Sequence, residues 1–321
     1  MEPFLLKPAC KTSIWGGTKL KKRFHKDYPG DIISESWELS VHPAGLSLAD
    51  SGSFCGASLA ELIKTPSVLG RFVKEYSVFP LMIKWIDSQR PLSIQVHPDN
   101  DYALEHENDM GKTEMWYIID CDPGAYLYYG FSHEITQEEF ASRIRDNSLL
   151  EVVKKVPVKK GDVFFIPSGT LHAIGPGILL AEVQQSSNVT YRIYDYGRLD
   201  TDGKPRQLHV EKAIEVTRLA PADDVIPVPV PLANPHDTLL ASCPYFAVVR
   251  QRIDTPRHNS GDCSSFHALM CVEGSGTLET ETQKLSFSAG ATIFVPADSP
   301  DFTLSGSMTL LDVFVPDPAL F

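Results

Sequence analysis

GDVFFIPSGTLH occupies residues 161–172 and is the stretch on which the fold reading turns. An apolar run is stopped by Pro167, turned through Ser168-Gly169, and followed by His172 on what reads as the next strand. GATIFVPADSPD (290–301) repeats the frame Gly-x-x-x-x-apolar-Pro. A second pair matches the same way: EMWYIIDCDPG (114–124) and HALMCVEGSG (267–276) each run apolar residues into an acidic residue and glycine. Each copy therefore reads strand, turn, strand, turn, which points to a mainly β chain built as a barrel or sandwich. The copies differ at the twelfth position, which is His172 in the first and Asp301 in the second.

Working outward, short strand-like runs dominate: LSIQVH (92–97), YRIYDY (191–196) and YFAVVRQRI (245–253) among them, punctuated by 21 glycines and 24 prolines. Helical insertions are expected near 58–76 and 136–156. Each opens on a capping-box pattern, Ser58-Leu59-Ala60-Glu61 and Thr136-Gln137-Glu138-Glu139. A third helix is expected within Leu208–Leu219, with Val210, Ile214 and Thr217 on one face. PADDVIPVPVPLANPH (221–236) is too rich in proline for helix or central strand and reads as a linker. The expected division is a larger N-terminal part over 1–220, on which the site residues named below fall, the linker over 221–236, and a C-terminal part over 237–321.

The whole chain has 321 residues, room for about two domains at ~150 residues each. Hydrophobic residues make up 43% and charged residues 22%, as in ordinary globular proteins. The net charge of -12 argues against a general nucleic-acid binder. No apolar run approaches the ~20 residues that span a bilayer, and the N-terminus carries no secretory pattern. The six cysteines form no CxxC pair and read as reduced thiols, so a cytoplasmic protein without membrane contact is expected. No pattern in the sequence points to a particular oligomeric state.

The chemistry concentrates in three pieces. In PLSIQVHPD (91–99), strand alternation sets Leu92, Ile94 and Val96 on one face and Ser93, Gln95 and His97 on the other. In GKTEMWYIID (111–120), Glu114 leads a strongly apolar strand, with Lys112 two residues earlier on the same face. A carboxylate entering a core needs a cation or a metal. Adding His172, neighbouring strands would bring Gln95, His97, Glu114 and His172 together: two imidazoles, a carboxylate and an amide oxygen. That set suits one divalent transition metal with a position left for water or substrate, and ligand softness alone does not separate zinc from manganese or iron. Downstream, ILLAEVQQSSNVTYRIYDYGR (178–198) puts Leu180, Glu182 and Gln184 on one face, and Thr190, Arg192 and Tyr194 on another. The planar guanidinium of Arg192 suits a phosphate or a developing oxyanion. The other histidines, at 25, 42, 106, 133, 209, 236, 258 and 267, read as surface or structural residues.

These motifs together resemble the type I mannose-6-phosphate isomerases, most of all their shorter bacterial branch. The resemblance rests on LSIQVHPDNDYA, GKTEMWYIID, GDVFFIPSGTLHAI, and a glutamate ten residues before the arginine of YRIYDYGR. IWGGTKL (14–20) and SESWELSVHP (34–43) add to it. It covers most of residues 3–220, and the C-terminal part is similar to the family's second barrel only loosely. The family implies two cupin-type β-barrels of jelly-roll kind, one bound zinc, and a small-molecule sugar phosphate as partner. Its metal ligands fall on Gln95, His97, Glu114 and His172. Its catalytic residues fall on Arg192, Lys112 and Glu182, and its substrate-binding residues on Ser93, Lys112 and Arg192. Asp301 stands where a ligand histidine would be, so the C-terminal barrel is expected to hold no metal. The implied reaction interconverts mannose 6-phosphate and fructose 6-phosphate through an enediol, with Glu182, Lys112 and a metal-bound water as candidate proton carriers. Two other readings remain: a different metal-dependent cupin enzyme acting on a sugar phosphate, and a non-catalytic sugar-binding sensor.

Overall fold

The computed structural model describes residues 1–74, 76–222 and 229–321. Antiparallel sheets carry the fold. One six-stranded sheet orders Val163–Ile166, Glu114–Cys121, Ile178–Gln185, Leu81–Ser88, Glu35–Leu39 and Ala9–Lys11. A five-stranded sheet orders Tyr191–Tyr194, Ile94–Val96, His172–Ile174, Tyr126–Phe131 and Val153–Pro157. The two lie face to face, because one core cluster draws Trp116, Ile118, Phe164 and Leu180 from the first sheet and Leu127, Tyr129 and Ile174 from the second. Alternation assigns the remaining faces. Met115, Tyr117, Ala181 and Val183 point out of this sandwich toward the C-terminal sheet, where Phe246, Ala268, Met270 and Leu311 meet them. On the far side, Ile94, Val96, Phe131 and Tyr191 pack against Phe140 and Ala213 of two helices, Gln137–Arg145 and Val210–Val216.

Two alternation readings shift. Leu92 precedes its strand and joins the inner core instead of the Ile94 and Val96 face. A bulge between Arg192 and Tyr194 sets Tyr194 opposite Ile94, so Tyr194 leaves the face of Arg192. The helical insertions are shorter than expected. Ser58 closes a full capping box over Leu59–Leu62, followed by Pro66–Leu69 and a single 3-10 turn at Arg71–Val73. Thr136 caps Gln137–Arg145, but Glu139 pairs with Arg143 at 2.8 Å, and the chain is already a strand from Val153. Two helices were not foreseen, Lys19–Phe24 and Asn100–Glu107. The second buries only Ala103, so it carries no apolar stripe to read.

The C-terminal sheet reproduces the first repeat in its pairing. Val163–Ile166 pairs with Glu114–Tyr117, and Thr292–Val295 pairs with His267–Met270. Its inner face holds Leu269, Cys271, Phe287, Ile293 and Leu304. The proline-rich stretch is not a boundary between sheets. Phe4–Lys7 and Leu48–Ala49 extend the C-terminal sheet, with Phe4 opposite Phe294 and Leu6 opposite Ala49. Trp85 Nε1 further donates to Gly290 O at 3.1 Å. Within the expected linker, residues 223–228 lie outside the described residues, and Val230–Pro231 forms an edge strand beside Asp237–Ser242. The chain is thus mainly β, with no closed barrel in its described pairing. Among the described residues no helix is long and apolar enough to cross a membrane.

Candidate metal centre and substrate pocket

The site lies at one end of the space between the six- and five-stranded sheets. Its side chains continue the inner faces where the apolar core stops: Ile178 and Leu180 give way to Glu182 and Gln184, and Ile118 and Trp116 give way to Glu114. Register does the rest. His172 and Arg192 both stand opposite Gln95, on either side of the Ile94–Val96 strand, and Glu114 stands opposite Gln184. Two glycines make the approach possible. Gly169 turns at φ +83° and donates to His97 O at 2.8 Å, returning the chain to His172. Gly111 passes so close to the start of the Asn100–Glu107 helix that a Cβ would sit 2.4 Å from the Asp99 carbonyl carbon.

His97, Glu114 and His172 are fully buried, and one ligand atom from each lies within 4.8 Å of the others. His172 Nε2 is 3.2 Å from Glu114 Oε1, and His97 Nε2 is 3.6 Å from Glu114 Oε2. Each imidazole uses Nδ1 on a backbone carbonyl, His97 on Val189 at 2.9 Å and His172 on Thr170 at 2.8 Å. A carbonyl only accepts, so Nδ1 carries the proton and Nε2 presents a lone pair. Burial, with the Lys112 charge nearby, holds His97 well below its ordinary range. Burial likewise brings His172 down to about 4, so both rings are neutral at neutral pH, as ligands must be. His97 Nε2 and Glu114 Oε1 are buried without a hydrogen-bond partner, and Glu114 Oε2 has only the Lys112 ammonium beside it. Burial pushes Glu114 up, against the pull of Lys112, whose Nζ is 3.1 Å away. Buried orphan acceptors converging on one point are what a divalent cation satisfies. Gln95 Nε2 is 3.4 Å from His172 Nε2, and turning the terminal amide by 180° sets its carbonyl oxygen at that place.

Beside the cluster opens a polar pocket of about 320 Å³, lined by Trp15, Lys84, Lys112, Glu182, Arg192 and Arg206 among others. Gln95 and Lys112 belong to both pocket and cluster. Glu182 is buried, with Oε1 2.9 Å from Lys84 Nζ and Oε2 accepting from Trp116 Nε1 at 3.0 Å. Burial alone would raise its pKa, but Lys84 and Lys112 outweigh burial and hold the carboxyl below its usual range. Lys84 is raised in turn, since Glu182 and Glu35 overcome the desolvation cost. Arg192 donates through Nε to Ser93 Oγ at 3.2 Å and through one terminal nitrogen to Gln207 O at 2.9 Å. Burial and Arg206 lower its pKa.

The structure therefore brings Ser93, Gln95, His97, Lys112, Glu114, His172, Glu182 and Arg192 into one region. Sequence reasoning missed Lys84, although a lone lysine in the apolar run LMIKWI (81–86) is the same signal that singled out Glu114. It also missed Arg206 and His209. His209 was assigned to the surface or to structure, yet it lines the pocket and accepts the Arg192 backbone N–H at 3.2 Å through Nδ1. Neither residue lies in a strand, so no alternation marks it. Asp301 is exposed, with His258 at 3.5 Å.

Residues 4–121 match the family described as phosphomannose isomerase type I, catalytic domain, and residues 236–315 match the mannose-6-phosphate isomerase cupin domain. A mannose-6-phosphate isomerase of Streptococcus mutans is 37% identical over 311 residues, 97% of each chain. The crystal structure of the mannose 6-phosphate isomerase from Bacillus subtilis superposes with a TM-score of 0.90 at 35% identity, covering 98% of this chain and 99% of that one. The apo enzyme from Salmonella typhimurium, at 17% identity and a TM-score of 0.79, shares the fold over 98% of this chain and 99% of its own. By full-length identity well above 30% and by its matched catalytic and cupin segments, the chain belongs to the type I phosphomannose isomerase family.

Proposed function

We propose that this chain interconverts mannose 6-phosphate and fructose 6-phosphate, with one zinc ion held by Gln95, His97, Glu114 and His172. The observation that carries the reading is the convergence of neutral, buried imidazole nitrogens and buried carboxylate oxygens beside a cationic pocket of sugar size. Bound there, a divalent ion supplies Lewis-acid polarisation of the sugar oxygens and offsets the charge of an enediol. The C-terminal half, whose strand pairing repeats that of the first, is read as a second cupin-type barrel. The six free thiols fit a reducing cytoplasm.

The reaction moves one proton from carbon 2 to carbon 1 and one from the oxygen on carbon 2 to the oxygen on carbon 1. The chain must bind the sugar, take and return the carbon-bound proton, and stabilise the charge between those events. Arg192, fixed by Ser93 and Gln207 O, presents its remaining donors to the pocket, where they favour the enediol over the ground state. Two groups answer the need for a proton carrier. Glu182 is ionised and faces the pocket, although the cations that keep it ionised also make it a weaker base. Lys112 reaches from Glu114 into the same space. Exchange of the carbon-2 proton with solvent separates them, since Glu182→Gln and Lys112→Met should not both retain it.

A coupled assay with mannose 6-phosphate, before and after treatment with a chelator, tests the proposal. Turnover that disappears with the metal and returns with zinc is expected. Turnover that persists in metal-free protein contradicts it.

A further inference from the structure

The cations of the substrate pocket are not equally committed. At the metal end, Lys84 Nζ lies 2.9 Å from Glu182 and Lys112 Nζ lies 3.1 Å from Glu114, so each lysine already has a carboxylate. The other end differs. Arg192 donates to Ser93 Oγ and Gln207 O, and among the described residues no carboxylate lies within ion-pair distance of it. Asp195 is the carboxylate in contact there, and Arg198 and Arg206 share it. Asp200 acts on Arg192 only at a distance. Three guanidiniums thus meet one ion-paired carboxylate, which leaves this end of the pocket with an excess of positive charge.

Arg206 is the guanidinium best fixed to receive an anion. It lines the pocket, and its side chain is only 13% exposed. Nε donates to Asp195 Oδ2 at 2.8 Å and a terminal nitrogen donates to Oδ1, a two-point pairing that sets the plane of the group. Two of its five N–H donors are used and three remain. Asp195 is buried, and Arg206 and Arg198 outweigh that burial and hold its carboxyl below the usual range, so the clamp is ionised at neutral pH. Arg198 uses its donors on Asp195 and on Pro91 O and does not line the pocket. The chain after Arg206 is pinned along the edge strand Tyr191–Tyr194. Gln207 O accepts from Arg192 at 2.9 Å, and the His209 backbone N–H donates to Arg192 O at 2.8 Å. Register gives the distance to the metal cluster. His172, Gln95 and Arg192 stand in one row across three neighbouring strands, so Arg192 is two strand spacings, about 10 Å, from His172. An extended six-carbon sugar with its phosphate spans that length when its carbonyl end lies at the cluster.

We propose that Arg206, oriented by Asp195, binds the phosphate of the sugar and sets the preference for a phosphorylated substrate. Arg206 is then a substrate-binding residue and Asp195 a positioning residue. This inference rests on the isomerase reading and assigns the end of the pocket that holds the phosphate. A phosphate monoester carries a charge of about -1.5 to -2 at pH 7, which the excess positive charge offsets, and the planar guanidinium fork matches its oxygens. The phosphate does not change during the reaction, so contacts to it are made equally in the ground and transition states. Their loss therefore falls on KM, whereas the loss of Arg192 falls on kcat.

Steady-state kinetics of Arg206→Met in the zinc-loaded full chain test the proposal. KM for mannose 6-phosphate should rise about 10- to 100-fold, with kcat and zinc content close to native. Arg206→Lys keeps the charge without the fork and should restore part of the affinity. Asp195→Asn keeps Arg206 but removes its orienting charge, and should raise KM by a smaller factor. A merely structural role would reduce the amount of active enzyme and leave KM unchanged. Calorimetric titration with mannose 6-phosphate separates the proposal from the reading beneath it. A native chain that binds the sugar phosphate through Arg206 without turning it over overturns the isomerase reading alone. The proposal is overturned if the native chain does not bind mannose 6-phosphate, or if Arg206→Met binds it as tightly as native. Arg206→Lys binding as tightly as native overturns it too, should Arg206→Met not fold. A loss confined to kcat at unchanged KM also overturns it.

Discussion

Lys84→Met removes the cation that Glu182 was buried against while keeping most of the side-chain volume. In the native chain both groups are about 5% exposed and 2.9 Å apart, and Glu35 lies 3.6 Å from the same ammonium. At an effective dielectric of ~20, a 2.9 Å pair attracts by about 6 kcal/mol before desolvation is subtracted. Leaving one member of such a pair uncompensated typically costs ~3–5 kcal/mol. Trp116 Nε1 continues to serve Glu182 Oε2, so the lower part of that range, about 3 kcal/mol, is expected. The assay is urea unfolding at pH 7 with free zinc held constant, because bound metal itself adds stability. Glu182→Gln and the double variant complete the cycle, and the double variant should lose clearly less than the two single losses added together. pH supplies a further check. Glu182 has a folded pKa below its unfolded value, so its contribution is present above pH ~4.3 and is lost as pH falls through the folded value. The gap between native and Lys84→Met proteins should therefore narrow below pH ~4. A loss under ~1 kcal/mol at pH 7 would refute the reasoning, since that is what exposed pairs contribute.

Other expectations follow from single contacts. Arg192→Ala should keep its metal and lose ~10²–10³ in kcat, with lysine restoring only part; a raised KM at unchanged kcat would show that the residue only grips substrate. Gly111→Ala forces a Cβ to 2.4 Å from Asp99 backbone, so unfolding experiments should show a loss of ~1–3 kcal/mol, and a neutral result would mean the loop shifts freely. Metal occupancy should fall on acidification. The His172 pKa is pulled down to about 4, so its contribution to stability is complete above the unfolded value of ~6.5 and is lost progressively from there toward 4. In the folded chain the ring stays neutral down to about 4, so occupancy should fall only near and below that pH; dialysis through that range with metal analysis checks it, and full occupancy in folded protein well below pH 4 would count against imidazole ligation.

How far the sequence could be read depended on whether strand alternation governed a residue. Gln95 lies on a strand whose period-two alternation shows a polar face, whereas Glu114 and His172 lie on strands apolar on both faces and stood out as a lone carboxylate entering an apolar run and a histidine after a proline–glycine turn. Tyr194 escaped because a bulge breaks that period, and Leu92 because it precedes its strand. Arg206 and His209 approach the pocket from irregular chain, where contact depends on tertiary packing alone. The sheet membership of Phe4–Lys7 was likewise invisible: four residues carry no partner information, and their partner Thr292–Val295 is nearly the whole chain away. Lys84 is different, since its signal was present in an apolar run and its meaning came only from Glu182 across the ladder.

Metal stoichiometry tests the central claim most directly. Purified chain should carry one equivalent of zinc, and His97→Ala and His172→Ala, each checked for folding, should carry almost none. Full occupancy in both variants would contradict the account.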